Sequence, residues 1–262
     1  MNDLRHNGAI ASLRRIRLIA RHTLGEALHQ RLTLLLILTG AALVLGALGL
    51  REFNFGGAEQ KFIGDFGLGV IGLFGTLLAA LATAHLFFAE IENRAAHCVL
   101  TRPVRRWEYL AGKITGVVAL LTLFVMAVSL VLAVVLAVRG SQLGASFVPL
   151  PVFLQACALQ WLKITLVAAM TLLVCGYAES ALFASCVGLM LALVAHLRGF
   201  AGSGGWAWLR VWPDFGLFDA EALLATGHSA PAMWLLTLVG YWAAYLLLLG
   251  GLASYVFKRR EF

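Results

Sequence analysis

Residues 114–138 read ITGVVALLTLFVMAVSLVLAVVLAV, twenty-five positions without one ionisable side chain. As an α-helix at about 1.5 Å per residue the run is about 38 Å long, more than the roughly 30 Å hydrocarbon core of a bilayer. Leu, Val and Ala fill it without the alternation of a barrel strand, so its backbone groups must be satisfied inside a helix. Lys113 precedes it and Arg139 follows it, so both ends are marked by charge.

Outward from this run the same pattern repeats. Uncharged stretches occupy 32–50, 66–89, 151–174 apart from Lys163, 181–197 and 231–257. Over the whole chain 61% of residues are hydrophobic and 13% charged, where a water-soluble domain carries about a quarter charged. The expected fold is all-α: a polytopic integral membrane protein with six transmembrane helices, organised as one domain over 1–262.

Lys and Arg in short loops stay on the cytoplasmic side. With the N-terminus inside, the inner segments hold Arg5, Arg14, Arg15, Arg17, Arg21 and Arg31, then Arg94, Arg102, Arg105, Arg106 and Lys113, then Lys258, Arg259 and Arg260. The outer segments hold Arg51, Lys61, Arg139, Arg198 and Arg210. Both termini are therefore expected in the cytoplasm, and the net charge of +7 reads as a membrane-surface feature rather than a nucleic-acid footprint. Before the first span, Ile10, Leu13, Ile16, Ala20 and Leu24 recur at helical spacing beside Arg14, Arg15, Arg17 and Arg21. This pattern predicts an interfacial elbow helix over 10–30, with a solvated basic tail as the alternative.

Several chemistries lack their residues. Cys98, Cys157, Cys175 and Cys186 form no CxxC pair, and the seven histidines form no HExxH pair, so no metal site and no catalytic residue is expected. Gly67, Gly69 and Gly72 with Glu90 downstream spell a dinucleotide fingerprint, but it opens an apolar run instead of following a strand. Gly64, Gly67, Gly72 and Gly75 are better read as close-packing positions for a neighbouring helix. Gly112-Lys113 is followed by Ile114 and is no phosphate loop, so the chain is expected to bind no cofactor of its own.

Lys163 is the strongly basic residue within a span and the candidate for a substrate path. Two readings stand: its side chain snorkels to the outer surface beside Trp161, or it faces a cavity and attracts an anionic substrate. The outer loop 198–230 carries Trp206, Trp208 and Trp212 and is expected to lie as an aromatic lip at the outer interface.

The segment 90–113 is charged and long for a mere connection. Glu90 and Arg94 are spaced for an i,i+4 pair, Val99 and Leu100 give a short helix an apolar end, and Pro103 stops it before Arg105 to Tyr109 begin the next. The run from Glu90 and Glu92 through Arg94, Leu100, Pro103, Val104, Arg106, Glu108, Tyr109, Leu110, Gly112 and Lys113 resembles the intracellular loop of type-2 ABC exporter permeases. More loosely, the whole chain resembles that family, with an Arg-rich elbow, six spans and a short basic tail.

The resemblance implies a half-transporter in a bacterial cytoplasmic membrane. A second copy of the permease would complete a homodimer, and two copies of a soluble ATPase would bring ATP and Mg and dock on 90–113. Glu90, Glu92, Asn93, Arg94, Val99, Leu100, Pro103, Arg105 and Arg106 would be the coupling residues. As written, the sequence departs from some members in having no large extracytoplasmic domain and no fused ATPase, which leaves the cargo open. A membrane anchor for an assembly complex and an ion-coupled secondary transporter are the rival readings.

Overall fold

The computed structural model describes residues 2–52, 59–92, 106–143, 149–198 and 212–259. Among them the elements are α1 (Asn2–His29), α2 (Arg31–Gly46) running into a 3₁₀ turn (Ala47–Glu52), α3 (Glu59–Glu92), α4 (Arg106–Leu143), α5 (Leu150–Cys175), α6 (Ala181–Leu197), a 3₁₀ turn (Phe215–Phe218), α7 (Ala220–Thr226) and α8 (Ala232–Arg259). No strand occurs among the described residues. Five segments are long and apolar enough to cross a membrane: Arg31–Gly49, Glu59–Ala89, Glu108–Gln142, Leu150–Cys175 and Ala232–Phe257. The sixth expected span is the shorter apolar helix Ala181–Leu197, 17 residues, or about 26 Å at the helical rise.

Local chemistry sets the ends. Pro151 lies in the first turn of α5, where a missing N–H costs nothing. Ser180 caps α6 by accepting from the Phe183 N–H at 3.3 Å. Asp219 caps α7 by accepting from the N–H groups of Glu221 and Ala222 at 3.0 and 3.2 Å. Gly227, at φ 66°, closes α7 in the left-handed conformation that suits glycine.

The centre of the bundle is α5, which touches α3, α4, α6, α7 and α8. Its buried face runs from Val152 to Cys175, whereas α2 and α8 present Leu35, Leu38, Leu236 and Leu247 outward. Lipid is as apolar as these side chains, so helices associate here through close packing and interhelical hydrogen bonds. Gly67 faces Leu132 of α4, and Gly75 faces Ile164 of α5 and Phe124 of α4. Gly72 lies against the Gln160 amide, and Gly64 against Leu224 of α7. Indole N–H groups add two cross-links: Trp161 donates to Thr122 Oγ1 and Trp242 to Thr165 Oγ1, each at 2.9 Å.

The tightest seam was not expected. The helix α1 packs along α4, where Gly112 meets Ile19 and the Ile16 carbonyl while Gly116 meets Thr23 and the Ala20 carbonyl. The packed stripe of α1 is thus Ile16, Ile19, Ala20, Thr23 and Ala27, while Leu13, read as part of the apolar face, is exposed. Periodicity marks an apolar stripe but cannot say which edge of it meets protein and which meets lipid.

This seam generates a prediction. Side chains built at Gly112 or Gly116 would collide with backbone and β-branched neighbours, and overpacking costs about 1–3 kcal/mol. Gly112→Leu and Gly116→Leu should lower the melting temperature of the detergent-purified chain, whereas Gly250→Ala, which meets open space, should not. Equal effects at all three positions would contradict the packing.

Candidate functional site

One end of the bundle carries the segment that resembles a coupling loop. Glu90 and Glu92 fall in the last turn of the continuous helix α3, and Arg106 is the first residue of α4. Asn93, Arg94, Val99, Leu100, Pro103 and Arg105 lie outside the described residues. The helical ends narrow the connection to 93–105, since the first two turns of α4 account for 106–113.

Two charged residues in those turns are buried. Glu108, 1% exposed, accepts a hydrogen bond from the Ser12 hydroxyl at 2.6 Å and pairs with the Arg15 guanidinium at 3.3 Å. Lys113, 2% exposed, donates to the Leu86 carbonyl of α3 and lies over the Tyr109 ring at 5.8 Å. Glu108 therefore fastens α4 to α1, and Lys113 fastens α4 to α3. Both were read only as part of the charged loop. Burial of a charge is costly unless it is paired and hydrogen-bonded, so these contacts fix the geometry of three helices near the ends of α3 and α4 that 93–105 joins.

At the opposite end, the outer-loop residues fold into the bundle. Phe215, Phe218 and Ala220 are buried, and α7 packs between α3 and α5. Trp212 is half-buried; its carbonyl accepts from Arg198 and from the Tyr245 hydroxyl. Trp206 and Trp208 lie outside the described residues. Arg198 also approaches Asp214 at 4.0 Å, and Arg139 donates to the Leu48 carbonyl at 2.6 Å. These two arginines, counted above only as orientation signals, anchor backbone carbonyls of the 3₁₀ turn after α2 and of Trp212.

Below α7 lies a cavity of about 390 Å³ between α3, α5 and α6. Lys163, 8% exposed, lines it with Gln160, His196 and Glu221. Trp161 is two residues away, about 200° around the helix, and turns to Thr122 instead. Lys163 therefore does not extend beside it toward a lipid surface. Asp219 and Glu221 act on the ammonium group through space, while no hydrogen bond or ion pair holds it among the described residues. The carboxylates near Lys163 come from α7 and its cap, almost sixty residues on, which no local spacing announces.

Glu221 has its pKa raised above the usual carboxylate range, first by burial and then by the negative charges of Asp219 and Asp65, against the pull of Lys163. The folded chain thus keeps the Glu221 proton over a pH window in which the unfolded chain has lost it, so stability falls as pH rises through that window. Glu221→Gln removes this penalty. The variant should melt above the wild type near pH 7.5, with the gap closing as pH drops below the ordinary glutamate range. A gap independent of pH would refute the shift.

A family model described as ABC-2 family transporter protein matches residues 29–195. The match covers the helices from α2 through most of α6, including the segment 93–105 and both buried charges at the start of α4. No curated protein matches the chain.

Proposed function

The chain belongs to the ABC-2 transporter family, as a multi-pass membrane permease of that type; on this premise we propose that it is the membrane half of an ATP-driven exporter whose ATPase docks on residues 93–105. The observation that carries the proposal is the braced base of that segment. Helices α3 and α4 overrun their apolar spans there and are tied to each other by Lys113, and α4 is tied to α1 by Glu108. A push delivered to 93–105 would move the α3 end, the α4 start and α1 as one body, the kind of rigid element that carries coupling between distant sites.

In this reading both termini are cytoplasmic, supported by the distribution of Lys and Arg. The helix α1 is the elbow, with Arg14, Arg17 and Arg21 toward anionic headgroups and Ile19 and Thr23 toward α4. Helix α6 is the sixth crossing; its 17 residues fit by thinning the bilayer locally, at a fraction of a kcal/mol per Å of mismatch. Two permease chains form a homodimer in a bacterial inner membrane, each engaging one soluble ATPase that binds ATP and Mg. This chain performs no catalysis.

The test is direct. Replacing Glu90 and Arg94 with alanine removes an i,i+4 pair worth only about 0.3–0.5 kcal/mol, so expression and insertion should be normal. At an interface, a charge left buried and unpaired costs about 2–5 kcal/mol, enough to weaken docking about ten-fold or more. The double variant should lose co-purification of the ATPase or uncouple hydrolysis from transport. Unchanged transport with the ATPase bound would remove these residues from the mechanism, and a wild-type chain that transports without any ATPase would favour the ion-coupled reading.

A further inference from the structure

We infer that the cavity between α3, α5 and α6 binds the zwitterionic head of an amphiphile, with its acidic oxygens on Lys163 and its ammonium group toward Glu221. The inference rests on these helices standing in a bilayer and on no ATPase partner.

The cavity holds one ammonium group and one carboxylate, and among the described residues the two form no ion pair with each other. An ionic ligand has to satisfy both. A bare anion would reach Lys163 but meet Glu221, with Asp219 and Asp65 close behind it. A bare cation would meet Lys163. A zwitterion meets a charge of opposite sign at each end. Gln160 adds a second polar group at the floor: it is 2% exposed, and its Oε1 is buried without a hydrogen-bond partner.

The order of groups along the cavity also matches an amphiphile. Glu221 and His196 stand at the α7 end, and Lys163 and Gln160 lie deeper. Farther from that end along α3 and α6 come Leu77 and Leu189, with Leu73 and Leu193 exposed beside them. Phospholipids of the ethanolamine type present ammonium, phosphate and acyl chain in that sequence from surface to midplane. Gly69 lines the same space and has no atom within 4 Å of an added Cβ. A side chain added there projects toward the cavity, and its Cβ meets no neighbour.

The full-length chain, purified in detergent, is titrated in native mass spectrometry with dioleoyl-phosphatidylethanolamine, its single-chain lyso form and dioleoyl-phosphatidylglycerol. Wild-type protein should retain the ethanolamine lipids over the anionic lipid. Equal retention of the lyso form assigns the site to single-chain amphiphiles, and weaker retention assigns it to bilayer lipid; both outcomes support a zwitterionic head. Lys163→Gln should lower ethanolamine-lipid affinity about ten-fold, the scale of one charge-assisted contact. Glu221→Gln should turn the preference toward phosphatidylglycerol, a reversal that a merely structural role would not produce. Gly69→Leu, whose added Cβ meets no neighbour and whose melting temperature is checked against the wild type, should lower retention of every lipid and keeps the test open should Lys163→Gln fail to fold. A wild-type preference for phosphatidylglycerol or for neither lipid, a preference unmoved by Glu221→Gln, or undiminished binding in Gly69→Leu would each overturn the inference.

Discussion

The buried carboxylate of Glu108 is the interaction on which the working end of this molecule depends. It sits in the first turn of α4, 1% exposed, and its hydrogen bond from Ser12 and ion pair with Arg15 bring α1 onto α4. Burying a carboxylate costs several kcal/mol unless donors surround it, so α1 is held where those donors reach. Close approach then follows, because only glycine at 112 and 116 lets Ile19 and Thr23 come so near the α4 backbone. Lys113, five residues beyond Glu108, repeats the device toward α3 through the Leu86 carbonyl. Three helices thus meet as a braced base where α3 ends and α4 begins.

The opposite end is built on a different compromise. Charges within a bilayer are expensive and persist where they face protein or a polar cavity. Lys163, Gln160 and Glu221 gather around one cavity because α7 folds back between α3 and α5 and is fastened there by Phe218 and its neighbours. The described stretch 212–231 before α8 is therefore part of the bundle, with the Arg198 and Tyr245 contacts to Trp212 holding its start. One end of the permease is cross-braced by buried charges, and the other encloses a polar chamber with an apolar side.

The long spans were legible because a run such as 114–138 has one physical solution in lipid. The glycines at 64, 67, 72 and 75 were also readable as small positions, and each lies against a side chain of another helix. What escaped was tertiary. Gly112 and Gly116 straddle the boundary between the charged segment and the apolar run, so their four-residue spacing was hidden by the reading of 90–113 as a loop. Glu108 and Lys113 looked solvated because charge in a connection normally is, and the donors from α1 lie more than ninety residues away. Trp161 seemed a companion for Lys163 by proximity in sequence, yet two residues on a helix point to different faces.

In the proposed cycle, α1 and the start of α4 move together when 93–105 is pushed. An added Cβ at Gly116 would lie 2.7 Å from the Thr23 Cβ, so a Thr23→Cys, Gly116→Cys pair needs a shift of about an ångström to reach disulfide geometry. In a background with the four native cysteines replaced by serine, transport is measured with the pair oxidised and then reduced. The oxidised chain should transport as well as the reduced one, because the bond locks parts that do not move relative to each other. Transport that stops on oxidation and returns on reduction would show that α1 slides on α4 during the cycle and would refute their rigid coupling.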